Sequence, residues 1–357
     1  MNRKKVIIIA PNFYGIDKSI CHAFESLGFN TALLNSRPGL SLFENISLRM
    51  SRKFPFSKNI LNKNIQSFLV RDNNGYLLSI KKFKPDIIFI IKGETVFPET
   101  IQIIKNEMKI PCIAYMWDRP FYTYADDFLD DYRKNNFALG MHLYDYIFVY
   151  DPYYVEEIKK KGIANVGYLP LATDPGKYKK VGLSQKEKQE YALDICFVGW
   201  PLPNRVEVFE NLSGFKLGVF GDGWKDWHRF KKSPIYYKGK AIGEKVLKIY
   251  SSSKIVLNMH HPQSVLGVNT RTFDILACGA FELVDFKPEL EKLFVLGDEI
   301  VCYKNIGELK GLIKFYLENE EERRRIAKRG MDKVLSCHTW HNRIKGLIAA
   351  LSEKRIL

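Results

Sequence analysis

The chain is expected to be an α/β protein built from two successive doubly wound domains, each with a parallel sheet. Three observations predict this. Short apolar runs rich in Ile, Val and Phe alternate with helix-period stretches along nearly the whole sequence. The alternation breaks once, after Asp174, in a polar Lys-rich stretch, and restarts at residue 193. At 357 residues the chain is long enough for two full cores.

In order, KKVIIIA (4–10) reads as a strand, PNFYGIDKSICHAFESLGF (11–29) as loop and helix, and NTALLN (30–35) as the next strand. PDIIFIIKG (85–93) is a buried strand, VFPETIQIIKNEM (96–108) a helix and PCIAYMW (111–117) another strand. YDYIFVYD (144–151) follows as a strand, PYYVEEIKKKG (152–162) as a helix closed by Gly162, then VGYLPLA (166–172). Residues 1–174 are thus a first Rossmann-like domain. Residues 175–192 read as a linker, polar and Lys-rich. A second βα series starts at LDICFVG (193–199), so 193–337 form the second domain. The last stretch, 338–357, has the spacing of an amphipathic helix that could return to the first domain.

Apolar residues make up 46% of the chain, which excludes a disordered protein. No apolar run reaches the roughly 18 residues of a membrane span, and no signal-peptide pattern opens the chain. Six scattered cysteines form no CxxC pair, so neither a zinc site nor a disulfide framework is indicated. A reducing cytoplasm is the expected compartment. The net charge of +15 is concentrated: residues 49–84 hold nine Lys or Arg against one acid, Asp72, interleaved with apolar residues. Such a segment suits an anionic membrane face, with the protein peripheral on its inner side, or forms an ordinary solvated helix pair. Nucleic acid is not an expected partner, because no recognised DNA or RNA module is present.

The segment NTRTFDILACGAFE (269–282) is the richest in chemistry. Residues 270–276 read as a helix, Cys278-Gly279 as its stop and 280–284 as a short buried strand. The helix start offers free N–H groups and positive partial charge to a diphosphate, with Asn269, Thr270 and Arg271 beside it. The Arg271 guanidinium would clamp the diphosphate with two prongs. Asp274 and Glu282, eight positions apart, are carboxylates able to accept from sugar hydroxyls.

The run SSSKIVLNMHHPQSVLGVNTRTFDILACGAFELVDF (251–286) resembles the donor-binding region of GT-B glycosyltransferases, and most of all the CgeB-like (spore maturation protein) group related to the retaining family-4 enzymes. ICFVGWPLPNR and GVFGDGW resemble the first strands and turns of that donor domain, and the resemblance extends over about residues 194–343. It implies the GT-B fold and transfer of a sugar from a nucleotide diphosphate donor, a UDP-sugar, to a glycan, lipid-linked or protein acceptor, with retention and without a metal. The family signature of Glu, seven residues, Glu is matched by Asp274 and Glu282, the first a methylene shorter. The resemblance implies that Asp274 holds the transferred sugar and Glu282 the ribose. Arg205, Gly199 and Lys240 join Arg271, Asn269 and Thr270 on the donor, and Gly279 lets backbone approach the sugar. In the first domain Asp118, after the strand in YMWDRP, is the candidate on the acceptor side, where family-4 enzymes often place a His.

Other chemistries lack their motifs. No GxGxxG follows the first strand, and no GxSxG or DxD at a strand end is present. Asp126-Asp127 and Asp130-Asp131 read as solvated helix acids, and His260-His261 as loop histidines. Two rival functions remain open on the sequence: a nucleotide-sugar epimerase on the same fold, and a non-catalytic nucleotide- or glycan-binding subunit.

Overall fold

The computed structural model describes residues 3–36, 58–121, 135–212, 214–226 and 235–357, without the side chains of residues 58–65, Asp226 and Ile235. The chain forms two compact units, one of residues 1–170 with Trp340–Leu357 and one of Leu171–Thr339.

The first unit carries a six-stranded parallel sheet. Its strands are β1 (Lys5–Ala10), β2 (Asn30–Asn35), β3 (Ile87–Ile91), β4 (Cys112–Met116), β5 (Tyr146–Val149) and β6 (Val166–Tyr168), ordered β2-β1-β3-β4-β5-β6. The run IIFII of β3 is buried on both faces, as a strand covered by helices on both sides must be. The register pairs Val6 with Ile87 and Ile88 with Cys112, so every central strand begins and ends near the same level. Helix α1 (Ile16–Ser26) returns the chain from β1 to β2, and its start is set by Gly15 in the left-handed region at φ 71.

Helix α2 (Lys58–Phe83) covers the described part of the basic stretch. Phe68, Leu69, Tyr76 and Ile80 are buried, and Asn73 is locked by bonds from its amide to the Leu69 and Thr95 carbonyls at 2.7 and 2.9 Å. These apolar residues belong to the unit's core, while Val70 and Leu78 of the same helix are exposed. Arg49, Arg52 and Lys53, like Asp126, Asp127, Asp130 and Asp131, lie outside the described residues.

Three helices complete the described part of this unit's middle: α3 (Pro98–Asn106), α4 (Asn136–Gly140) and α5 (Pro152–Lys159), the last capped by Asp151 accepting from the Tyr153 N–H at 3.0 Å. The chain's last helix clusters with this unit. Trp340 packs edge-on to Tyr115 at 6.4 Å, and Arg343 donates to the Pro170 carbonyl at 3.1 Å.

The second unit repeats the architecture with β7 (Ile195–Val198), β8 (Leu217–Phe220), β9 (Ile235–Tyr237), β10 (Ile255–Asn258), β11 (Glu282–Asp285) and β12 (Val301–Tyr303), ordered β12-β11-β10-β7-β8-β9 and all parallel. Strand alternation sorts its core. Ile195 and Phe197 join Phe209, Leu257 and Leu283 in one cluster, while Cys196 joins Val256, Ile275 and Cys278 in another. Cys278 is a packing residue whose thiol burial holds well above its usual pKa.

The stretch 175–192 is not a plain linker. It clusters with the second unit and contains helix α6 (Gln185–Tyr191), begun by a capping box between Ser184 and Glu187. Glu187 also pairs with Lys248 at 2.8 Å. Its polar composition is that of an exposed helix, and periodicity over seven residues is too short to reveal one. The boundaries between the units fall after Pro170 and after Thr339.

Candidate functional site

In an open parallel sheet, ligands gather beyond the carboxyl ends of the strands, where the strand order reverses. In the second unit that point is the junction of β7 and β10. Most of the residues singled out in the sequence meet there.

Helix α7 (Pro203–Glu210) follows β7 and carries Arg205, which is 5% exposed. Its guanidinium donates to the Trp200 and Met259 carbonyls, each at 3.0 Å, and lies 5.3 Å from the Phe197 ring centre. Arg271 stands on the first turn of helix α9 (Thr270–Ala277), with α8 (Glu244–Ser252) preceding β10. Its guanidinium lies 5.6 Å from the same Phe197 ring and donates to Asn258 Oδ1 at 3.1 Å. Neither arginine has a carboxylate within ion-pair distance among the described residues. Burial, and then the neighbouring charge of Arg271, pull the Arg205 pKa down to about 9. Two guanidinium groups around one ring, partly desolvated and repelling each other, form a site that an anion would neutralise.

Gly199 sits against this pair. A Cβ there would come within 3.1 Å of the Arg271 guanidinium and 2.9 Å of Phe197 Cζ. Its carbonyl accepts from Trp224 Nε1 at 2.6 Å, which fixes the turn GDGW beside it. At Gly221, with φ 138, a Cβ would overlap the Gly199 carbonyl oxygen at 2.3 Å.

The N-terminus of α9 is built on a buried polar network. Asn269 caps the helix, its Oδ1 accepting from the Thr272 N–H at 3.1 Å. Asn258, the last residue of β10, donates to Glu282 Oε1 at 2.7 Å, Thr272 Oγ1 at 3.0 Å and Asn269 Oδ1 at 3.1 Å. The Thr272 hydroxyl also donates to Glu282 Oε1 at 3.1 Å. Glu282 is 1% exposed, and its second oxygen is buried without a hydrogen-bond partner among the described residues. Burial, opposed by the bonds from Asn258 and Thr272, pushes its pKa up to about 8. Glu282 thus lies beneath the helix start, where its Oε1 is tied to Asn258 and Thr272.

Asp274 lies one turn further along α9 and is 8% exposed. Its Oδ1 accepts from the Thr173 hydroxyl at 2.8 Å, and burial holds its pKa well above the usual carboxylate range. Gly279, at φ 65, ends α9 at the pole opposite Asn269, and a Cβ there would meet Met331 Sδ at 3.1 Å and Lys180 Cδ at 3.4 Å. It is a helix stop packed on those side chains, not a point of sugar approach. Lys240 pairs with Asp222 Oδ1 at 2.7 Å, and both side chains are exposed.

His260, expected as a loop histidine, is held by a specific partner. Its ring is buried, its Nδ1 meets Asp285 Oδ1 at 2.7 Å, and its backbone N–H donates to the same oxygen at 2.8 Å. Nε2 has no hydrogen-bond partner among the described residues. Asn258 was not singled out. The only signal for either was a polar residue at or just past the end of an apolar strand run, in LNMHH.

In the first unit Asp118 follows β4 and pairs with Lys92 at 2.5 Å; Lys92, just past β3, also lies 3.6 Å from Glu94. These groups mark the carboxyl edge of the first sheet. A surface cavity lined by Lys4, Lys5, Glu25, Asn30, Thr31 and Asp86 sits at the opposite, amino edge. No cluster of three or more His, Cys, Asp or Glu suited to a metal occurs among the described residues. Nor is any described helix long and apolar enough to cross a membrane.

Residues 205–349 match a family model described as glycosyl transferase-like. Over 307 residues the chain is 25% identical to spore protein CgeB of Bacillus subtilis (strain 168), covering 77% of this chain and 87% of that one. The fold is similar to sucrose-phosphate synthase of Thermosynechococcus elongatus, with TM-score 0.68, 10% identity, and coverage of 99% of this chain and 100% of that one. It is also similar to Anabaena HepE in complex with UDP-glucose, with TM-score 0.61, 10% identity, and coverage of 98% and 99%. The chain thus has the fold of the GT-B glycosyltransferases, its residues 205–349 match a glycosyl transferase-like family, and it is similar to the CgeB-like group.

Proposed function

We propose that the chain transfers a sugar from a nucleoside diphosphate sugar, and that its second unit holds the donor. The observation that carries this reading is the pair Arg205 and Arg271, partly desolvated around Phe197 with no carboxylate in ion-pair distance among the described residues, beside the capped start of α9. A diphosphate supplies the missing charge, and the helix N–H groups add donors. Gly199, Asn269 and Thr270 would line that anion. A UDP-sugar is the donor we favour, supported by the similarly folded HepE, whose complex holds UDP-glucose.

The chemistry follows from charge. As the anomeric C–O bond breaks, negative charge grows on the departing diphosphate. Guanidinium groups already fixed around Phe197 stabilise that charge more in the transition state than in the bound donor, which is what lowers a barrier. Resemblance to the retaining group supports front-side attack, with the acceptor proton passing to the departing phosphate. We place the acceptor with the first unit, where Asp118 and Lys92 form the polar edge, and we propose no metal because the arginine pair can serve as the counter-charge.

A thermal-shift screen of nucleotide sugars tests this, since a ligand of the folded state raises the melting temperature by mass action. The expected result is a shift with one nucleotide sugar in the wild type that is lost in Arg271→Met. No shift with any of them would overturn the reading. Product analysis without acceptor separates transfer from epimerisation: an epimerised donor would replace the transferase reading.

A further inference from the structure

We infer that Asp285 is a positioning residue that holds Arg205 in place for the donor diphosphate through the peptide between Met259 and His260. The inference rests on the donor reading above and gives a task to two residues, Asp285 and His260, that the reading leaves without one.

Strand β10 ends at Asn258, opposite Val284 of β11, so the Met259–His260 peptide lies just past the ladder. Its N–H must find a partner outside the sheet. Asp285, the last residue of β11, accepts the His260 N–H on Oδ1 at 2.8 Å. The same oxygen meets Nδ1 of the buried His260 ring at 2.7 Å. Two contacts from one residue thus fix the carboxylate. The other end of this peptide is the Met259 carbonyl, which accepts from Arg205 Nη2 at 3.0 Å. The peptide is trans, so its N–H and C=O point in opposite directions, one at the carboxylate and the other at the guanidinium.

A carboxylate on the N–H draws electron density toward the carbonyl oxygen and makes that oxygen a stronger acceptor. The buried Arg205 guanidinium is held by two such carbonyls, those of Trp200 and Met259. Asp285 therefore acts on it across one peptide and not in an ion pair. Burial and then Arg271 lower the Arg205 pKa, and the charge of Asp285 opposes them. A guanidinium kept charged but not capped by a carboxylate still has its charge to offer an anion.

The experiment compares binding of UDP-glucose and of inorganic pyrophosphate by calorimetry in Asp285→Ala and Asp285→Asn, alone and combined with Arg205→Met. Charge alone gives the opposite sign, since removing a carboxylate near an anion site tightens the anion. The relay predicts that Asp285→Ala weakens both ligands by the same factor, about tenfold. It predicts that Asp285→Asn, which keeps an acceptor oxygen but not the charge, recovers part of that loss. It also predicts that neither variant weakens binding further once Arg205 is replaced. Unchanged or tighter pyrophosphate binding in Asp285→Ala would overturn the inference. Loss of UDP-glucose binding with pyrophosphate binding intact would make Asp285 a direct contact of the sugar or nucleoside and overturn it as well. So would additivity with Arg205→Met. Should Asp285→Ala not fold, Asp285→Asn decides: the relay requires a loss of about threefold for both ligands that vanishes beside Arg205→Met. Wild-type protein that binds neither ligand removes the donor reading and this inference with it, whereas wild-type binding with unchanged variants removes this inference alone.

Discussion

Arg205 and Arg271 share one aromatic ring and have no carboxylate within ion-pair distance among the described residues, so a diphosphate would balance their charge. Losing a charged hydrogen-bond donor costs about 1.5–3 kcal/mol. Arg271→Met is therefore expected to weaken nucleotide-sugar binding about 10- to 100-fold, measured by calorimetry, while the unfolding midpoint stays near the wild-type value. Glu282 makes a second prediction at this scale. Burial raises its folded pKa to about 8, above its unfolded value. Its share of stability is fully present below the unfolded pKa and is lost as pH rises through the folded one. Glu282→Gln removes that titration. The melting-temperature difference, variant minus wild type, should grow between about pH 5 and pH 8. A flat difference over that range would show that the carboxyl is not held protonated.

Asp285 behaves in the opposite way. Burial pushes its pKa up, but the bonds and charge of His260 outweigh that and hold it below the usual carboxylate value. A depressed folded pKa adds stability above the unfolded pKa that fades as pH falls through the folded one. Asp285→Asn should destabilise at neutral pH, and the gap to wild type should close in acid, below about pH 4. Thermal melts from pH 7 to pH 3 measure it.

At the scale of elements, α9 is short and depends on its two ends. Asn269 caps one end and joins the Asn258 network, so Asn269→Ala should cost about 1 kcal/mol in denaturant unfolding and also reduce donor affinity. Gly279 closes the other end in the left-handed region, where a side chain is strained and would press on Met331. Gly279→Ala should likewise cost about 1 kcal/mol or more, yet leave the affinity of the folded protein for the nucleotide sugar within a factor of about two. The contrast separates the ligand pole of the helix from its structural pole. Helix α6 shows how such elements escape notice in a sequence. Its Ser184–Glu187 capping box is present in GLSQKEKQEYA, but none of its residues is buried, so no apolar stripe marks it.

At the scale of the whole molecule, the proposed counter-charge is an arginine pair, so transfer should persist in excess EDTA and not rise with added magnesium or manganese. Loss of activity on chelation, restored by either ion, would replace the arginines with a metal as the main counter-charge.

The sequence by itself determined the fold class, the alternation of strands and helices and the place where the second series begins, because buried strands and covering helices must be written in apolar periodicity. It also carried the candidate arginine and the capped helix start in NTRTFD, since these are local features of a dozen residues. Only the tertiary structure decided which side chains converge. Phe197, Arg205, Asn258, Arg271 and Glu282 come from five elements up to 85 positions apart, brought together by the parallel order β11-β10-β7. Burial was decided there too. The same folding tied Glu282 into a buried network, set Lys240 beside Asp222 and paired His260 with Asp285. Such outcomes depend on the neighbours a fold supplies across the sheet, and spacing along the chain does not record them.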